Sequence, residues 1–139
     1  MEKIKIGING FGRIGRNLFR LLINHPAIEV AVINDIADTR TMAHLIKYDS
    51  IHGVLPYEVS HTENSIIING KEYPFTRRRN IADIKWNNFN VDIVIESTGK
   101  FKTYDLAAQH LDAGAKKVIL SAPPEEDKIK TVVLGVNEH

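Results

Sequence analysis

The sequence predicts an α/β protein with a doubly wound, mostly parallel β-sheet. Short apolar runs typical of buried strands alternate with segments of helical periodicity along the 139 residues. The apolar runs end at glycine, serine or aspartate, residue types that favour turns. This alternation predicts parallel strands with helices on both faces, the Rossmann-type arrangement.

The first three predicted elements form a βαβ unit. An apolar strand beginning at Ile4 leads into three glycines, and a helix follows that ends before Pro26. A second strand, residues 28–34, is nearly all apolar, as expected for a parallel strand covered on both faces. The helix is expected to face the sheet through its apolar positions Ile14, Leu18, Leu21 and Leu22.

A small antiparallel excursion is predicted in the middle of the chain, near residues 57–75. Asn69-Gly70 between β-prone runs is typical of a hairpin with a two-residue turn. Before it we expect a helix over residues 38–48, with an apolar face at Met42, Leu45 and Ile46, and then a loop over residues 49–56. After it, Trp86 is expected to be a packing residue.

Three further strands and one helix are expected in the second half. The helix covers residues 103–114, with Thr103 as N-cap and Ala107 and Leu111 facing inward. Small residues follow two of the strands, where a ligand could approach. The predicted strands are residues 92–96, 117–121 and 131–136.

The glycine spacing after the first strand points to a dinucleotide site. Gly10 would allow a tight turn, Gly12 would let a pyrophosphate approach the backbone, and Gly15 would let the helix pack on the strand. The helix N-terminus would present N–H groups and a partial positive charge to the phosphates. Three glycines alone are a weak signal, but here a strand precedes them and a helix follows.

Asp35 is the candidate ribose ligand, because it ends the second strand, twenty positions after Gly15. A carboxylate there accepts hydrogen bonds from the adenosine ribose and repels a 2′-phosphate. No arginine stands in the next four positions, so we expect NAD rather than NADP. The alternative is an ordinary turn aspartate before Ile36.

Composition argues against several other classes. The net charge is +1, which gives no bulk attraction to nucleic acid or membrane, and cysteine is absent. The six histidines show no metal-ligand spacing, and no Gly-x-Ser-x-Gly turn surrounds Ser97, Thr98 or Ser121. The basic run at residues 77–79 is either a solvated face or a phosphate contact.

Six segments occur together in the order and spacing of one family. They are residues 8–16, 34–35, 47–53, 96–101, 121–123 and 135–137. Through them the chain resembles, over essentially its whole length, the N-terminal NAD-binding domain of phosphorylating glyceraldehyde-3-phosphate dehydrogenases. Erythrose-4-phosphate dehydrogenase shares most of these segments and stays open as an alternative.

The resemblance implies a role for each matching position. Phe11, Arg13 and Ile14 would line the pyrophosphate turn, Asp35 would hold the ribose with Asn34 beside it, and Arg79 would lie near the adenine edge. The positions expected to flank the adenosine half are Thr98, Gly99 and Phe101, and Ser97 beside them is a further expected cofactor contact. Those expected near the nicotinamide half are Ser121 and Ala122.

The resemblance also implies what this chain lacks. The family oxidises and phosphorylates glyceraldehyde 3-phosphate through a cysteine in a Ser-Cys-Thr-Thr-Asn segment, which would lie downstream. We therefore expect residues 1–139 to be one truncated cofactor domain that binds NAD but does not catalyse. Its last strand and C-terminal covering helix would be missing, leaving an exposed edge that favours self-association.

The same resemblance implies a cytoplasmic homo-oligomer in glycolysis. Two other classes remain as alternatives at this point. One is a stand-alone NAD-binding module. The other is an aspartate-semialdehyde or homoserine dehydrogenase, enzymes that share the glycines but not the segment at residues 47–53.

Overall fold

A computed structural model describes residues 2–49, 53–99 and 104–121. Within these residues the helices are α1 (Arg13–Leu22), α2 (Thr39–Lys47) and α3 (Tyr104–Asp112), with 3₁₀ turns at Ile81–Asp83 and Trp86–Phe89. The strands are β1 (Ile4–Asn9), β2 (Ile28–Asn34), β3 (Tyr48–Asp49), β4 (Gly53–Val54), β5 (Val59–Thr62), β6 (Ser65–Ile68), β7 (Lys71–Thr76), β8 (Ile93–Glu96) and β9 (Lys117–Leu120).

Seven of these strands form one sheet in the order β5-β6-β7-β2-β1-β8-β9. Strand β1 lies in the middle and pairs in parallel with β2 on one side and β8 on the other. The chain winds outward from β1 in one direction and later returns to wind in the other. This reversal leaves a crevice at the carboxyl ends of β1, β2 and β8, where ligands bind in such sheets. The predicted fold class is confirmed.

An apolar core lies on each face of the sheet. On one face, Phe19 of α1 and Met42 and Ile46 of α2 pack against the strands. On the other, Trp86 packs with Val32, with residues of the first 3₁₀ turn and with Ala113 and Ala115 just after α3. Both faces of the central strands are therefore covered, which explains their nearly continuous apolar sequences. No helix in the described residues is long and apolar enough to span a membrane.

The antiparallel excursion forms strands β5, β6 and β7. The turn between β6 and β7 is Asn69-Gly70, with φ of 49° and 83°, as a two-residue hairpin requires. Strand β7 then pairs in parallel with β2, so the excursion extends the main sheet. The expected loop at residues 49–56 is partly wrong, because β3 and β4 pair antiparallel there.

The predicted inward face of α1 is only half right. Leu18 and Leu22 pack against the core, but Ile14 is 54% exposed and Leu21 is 76% exposed. The buried residues are Gly15 and Phe19 instead, and Leu21 lies about 200° around the helix from Phe19. Phe19 anchors this face, with edge-to-face contacts to Phe11 and Tyr73 at centroid distances of 5.5 and 5.0 Å.

The second predicted helix, α2, begins and packs as expected. Asp38 is its N-cap, and its carboxylate accepts a hydrogen bond of 2.7 Å from the Thr41 N–H. That hydrogen bond lowers the pKa of Asp38 below its ordinary value. Met42 and Ile46 are buried and Leu45 is partly buried.

The predicted inward face of helix α3 is wrong at Leu111. Leu111 is exposed, and His110 is completely buried in its place. A hydrogen-bonded imidazole can be buried at little cost, which a hydrophobic pattern does not register. Thr103 and the predicted strand over residues 131–136 lie outside the described residues, as does the side chain of Ala107.

Candidate nucleotide-binding site

A cavity of about 300 Å³ lies at the carboxyl ends of the central strands. It brings together the end of β1, the glycine turn, the end of β2 and the segments that follow β7 and β8. Most of its lining residues were predicted as cofactor contacts, and Asn9, Ile36 and Arg78 were not. The lining residues are Asn9, Gly10, Gly12, Asn34, Asp35, Ile36, Arg78, Arg79, Ser97 and Thr98.

The three glycines of the turn have different surroundings. Gly10 has a φ of +97°, and a Cβ there would lie 2.7 Å from the Thr98 nitrogen. A Cβ on Gly15 would overlap the carbonyl oxygen of Gly10. A Cβ on Gly12 would meet nothing within 4 Å. Two glycines therefore permit backbone packing, and Gly12 borders open space.

The N-terminus of α1 opens onto this space. Its N-cap is Gly12, which has no side chain to accept hydrogen bonds from the first-turn N–H groups, and that turn contains no acidic residue. Arg13 and Ile14, which begin the helix, are exposed. The helix end thus presents N–H donors and a partial positive charge, which suit an anionic group.

Asp35 is held in place by two backbone donors. Its Oδ2 accepts a hydrogen bond of 2.6 Å from the Phe11 N–H, and its Oδ1 accepts one of 2.9 Å from the Ala37 N–H. A carboxylate has about four acceptor sites, so the half-buried group keeps capacity for two ribose hydroxyls. Phe11 contributes here through its backbone, because its ring is buried in the core against Phe19 and Phe75.

Two arginines share the cavity with Asp35. Arg78 and Arg79 follow β7 and line the same space. The Asn34 side chain secures this segment, since its Oδ1 accepts from the Arg78 N–H at 2.9 Å and its Nδ2 donates to the Arg78 carbonyl at 3.0 Å. The absence of arginine just after Asp35 in sequence therefore does not mean an absence of arginine near it in space.

Behind the cavity lies a buried polar network that sequence reasoning missed. Asn9 donates to Oε1 of Glu96 at 2.7 Å, and Asn34 donates to the Asn9 amide oxygen at 2.8 Å. On the far side, His110 and Trp86 continue the network. One feature of the sequence could have indicated this network: Glu96 is a charged residue at the end of an otherwise apolar strand.

The remaining predicted contacts lie outside the cavity lining. Gly99 is exposed with a φ of +75°, and the Ser121 hydroxyl donates to the Glu96 carbonyl at 3.0 Å, beside the end of β9. Phe101 and Ala122 lie outside the described residues. Within the part of the chain that the structure describes, no group of His, Cys, Asp or Glu could hold a metal ion.

These features fit the adenosine diphosphate part of a dinucleotide. The open α1 N-terminus suits its pyrophosphate, and the spare acceptor sites of Asp35 suit its ribose. Both face one cavity at the point where the strand order reverses.

Comparison with known proteins agrees with this geometry. Residues 4–104 match the family model described as the NAD binding domain of glyceraldehyde 3-phosphate dehydrogenase. The chain is 53% identical over 135 residues to glyceraldehyde-3-phosphate dehydrogenase of Geobacillus stearothermophilus. It is 52% identical over 135 residues to glyceraldehyde-3-phosphate dehydrogenase 1 of Bacillus subtilis.

A third relative, glyceraldehyde-3-phosphate dehydrogenase of Thermotoga maritima, is 49% identical over 136 residues. These alignments cover 96–97% of this chain, and the chain spans about 40% of the length of the curated relatives it matches. The family model alone covers most of the sequence, from β1 to the start of α3. The chain therefore belongs to the glyceraldehyde-3-phosphate dehydrogenase family, in which it corresponds to the NAD-binding domain.

Proposed function

We propose that this chain supplies the coenzyme site of an enzyme that converts glyceraldehyde 3-phosphate to 1,3-bisphosphoglycerate with NAD and phosphate. One observation carries the proposal: Asp35 and the open N-terminus of α1 face a single cavity in a chain whose family is defined by NAD binding. Bound NAD would accept a hydride from the substrate. The chain's own residues bind and orient the cofactor.

The isolated chain is expected to bind NAD without turnover. Thioester chemistry requires a cysteine thiolate, and these 139 residues contain no cysteine. The backbone N–H groups at the start of α1 would hold the pyrophosphate, and Asp35 would hold the ribose hydroxyls. Thr98 would border the adenosine half, with Ser121 and Ala122 nearer the nicotinamide.

Two alternatives remain within this proposal. Erythrose-4-phosphate dehydrogenase would use the same cofactor domain, and a stand-alone NAD-binding module would need no cysteine. Assays of the complete protein with each aldehyde phosphate separate the two dehydrogenases. A Ser-Cys-Thr-Thr-Asn segment encoded beyond His139 would eliminate the stand-alone module.

Thermal unfolding with added cofactor tests NAD binding directly. At a concentration about 100 times its dissociation constant, NAD is expected to add about 2.7 kcal/mol to the free energy of unfolding. NADP at the same concentration is expected to add less, because Asp35 repels its 2′-phosphate. Calorimetric titration with each cofactor gives the affinities. No stabilisation by either cofactor would contradict the proposal.

Self-association in the cytoplasm is the remaining part of the proposal. Among the described residues β9 is the outermost strand on its side of the sheet, and Ile119 on it is 51% exposed. An apolar strand at a sheet edge is a template for pairing with another chain. The absence of cysteine, and so of disulfides, is compatible with a cytoplasmic location.

Light scattering after size exclusion tests association at this edge. At high concentration the chain is expected to show a mass above the monomer's 15.7 kDa. Ile119→Lys, which places a charge on β9, is expected to restore the monomer. The matched control is Ser60→Lys on β5 at the opposite edge, which should leave the mass unchanged. A monomeric parent chain would contradict association.

A further inference from the structure

Glu96 is a buried carboxylate with four hydrogen-bond donors around it. It is 3% exposed at the end of β8. Its Oε1 accepts from the Asn9 amide at 2.7 Å and contacts Nε2 of His110 at 3.1 Å. Its Oε2 accepts from the Thr98 N–H at 3.2 Å and the Thr98 hydroxyl at 3.0 Å. This set of donors suits an ionised carboxylate with both oxygens satisfied.

The hydrogen position on His110 follows from its other neighbour. The Trp86 indole nitrogen lies 2.9 Å from Nδ1 of His110, and an indole N–H can only donate. Nδ1 therefore accepts and carries no hydrogen, which leaves His110 neutral with its hydrogen on Nε2. That hydrogen points to Glu96, so one continuous line of donors runs from Trp86 through His110 to the carboxylate.

On its other side the network reaches the nucleotide cavity. Asn9 and Thr98 both line that cavity, and both are held by Glu96. Asn9 in turn holds Asn34, which fixes the backbone of Arg78. The carboxylate therefore orients groups on two sides of the site, although Glu96 is not itself among the residues that line it.

We propose that Glu96 is the positioning residue of the NAD site and that it links the site, through His110, to the buried Trp86. This inference rests on the proposed NAD binding and adds the group that shapes the cavity. Hydrogen bonds in a chain polarise one another. A cofactor that changes the hydrogen bonds of Thr98 or Asn9 therefore changes the bond that Trp86 donates.

Trp86 is the single tryptophan of the chain, so a ¹H–¹⁵N spectrum contains one indole N–H signal. Saturation of the 139-residue chain with NAD is expected to move this signal, although the indole is completely buried. Glu96→Gln is expected to weaken NAD binding about tenfold in calorimetry, because an amide presents a donor where a carboxylate oxygen accepted. It is also expected to remove most of the NAD-induced movement of the indole signal.

The matched control is Glu29→Gln, which makes the same change at a more exposed carboxylate paired with Lys71. It should alter neither the NAD affinity nor the indole response. Thr98→Val provides a second break in the network, since it removes the hydroxyl that donates to Glu96 and keeps the backbone N–H donor. It is expected to fold even if Glu96→Gln does not, and to reduce the indole response to less than half.

The outcomes separate this inference from the proposed function. An unsubstituted chain that does not bind NAD would overturn both. An indole signal that NAD leaves in place, or that NAD moves equally in the unsubstituted chain and in either variant, would overturn the inference alone. Equal NAD affinities of Glu96→Gln and the unsubstituted chain would also overturn the inference alone.

Discussion

Gly15→Ala is expected to destabilise the chain by about 3 kcal/mol, a large part of the roughly 5–15 kcal/mol by which a native domain is stable. The added methyl group would overlap the Gly10 carbonyl oxygen, and both groups belong to the backbone. Relief requires α1 to move away from β1, which would open the packing of Phe19. Urea unfolding followed by circular dichroism measures the loss.

Gly12→Ala is the matched control, because it makes the same change three residues earlier in open space. Its φ of −74° is accessible to alanine, so stability should stay within about 1 kcal/mol of the parent. NAD affinity should nevertheless fall more than tenfold, since the methyl group occupies the approach of the pyrophosphate. A Gly15→Ala chain as stable as the parent would show that the helix–strand contact is not tight.

This contrast explains why the glycine turn could be predicted from sequence. The turn geometry, the close approach of the helix and the access of a phosphate are local requirements on the backbone, and each one selects glycine at a fixed spacing. The Asn69-Gly70 hairpin was predictable for the same reason. The structure gives Gly10, Asn69 and Gly70 a positive φ, which glycine and asparagine adopt most readily. At Gly15 the limit is instead the Gly10 carbonyl oxygen, which a Cβ would overlap.

The inward faces of the helices were harder to predict, because burial depends on packing partners. In α1 the inward stripe includes Gly15, which contributes no apolar side chain to the pattern, and so the more apolar Ile14 and Leu21 were chosen. In α3 the buried residue is His110, whose ring nitrogens are both hydrogen-bonded. A polar side chain with satisfied partners can occupy a core position that hydrophobicity assigns to leucine.

Two non-local residues, Arg78 at the cavity and Glu96 behind it, could not be predicted from local sequence patterns. Arg78 reaches the cavity because β7 pairs with β2, and that pairing follows from the path of the whole antiparallel excursion. Glu96 meets Asn9 because β8 pairs with β1, 87 residues apart along the chain. Arg78 and Glu96 lie far along the chain from Asp35 and Asn9, so the local sequence around those residues does not indicate either one.

Because Arg78 and Arg79 share the cavity with Asp35, replacing Asp35 is expected to change NADP binding as well as NAD binding. Asp35→Ala is expected to weaken NAD binding by about 1–3 kcal/mol, because the ribose hydroxyls lose their acceptor. The same change leaves Arg78 and Arg79 in a cavity without the neighbouring carboxylate. NADP binding is therefore expected to strengthen while NAD binding weakens. Both changes lower the ratio of NAD affinity to NADP affinity. Calorimetric titration of both cofactors measures the ratio.

Asp38→Asn is the control for removing a negative charge nearby. Asp38 is exposed and caps α2, it does not line the cavity, and asparagine can keep the cap. The ratio of NAD affinity to NADP affinity in Asp38→Asn should equal that of the parent chain. Adding Arg79→Gln to Asp35→Ala should cancel much of the gain in NADP affinity, because a 2′-phosphate would lose a cationic partner. An unchanged ratio in Asp35→Ala would show that Asp35 does not contact the ribose, and the two backbone hydrogen bonds it accepts would then be its whole role.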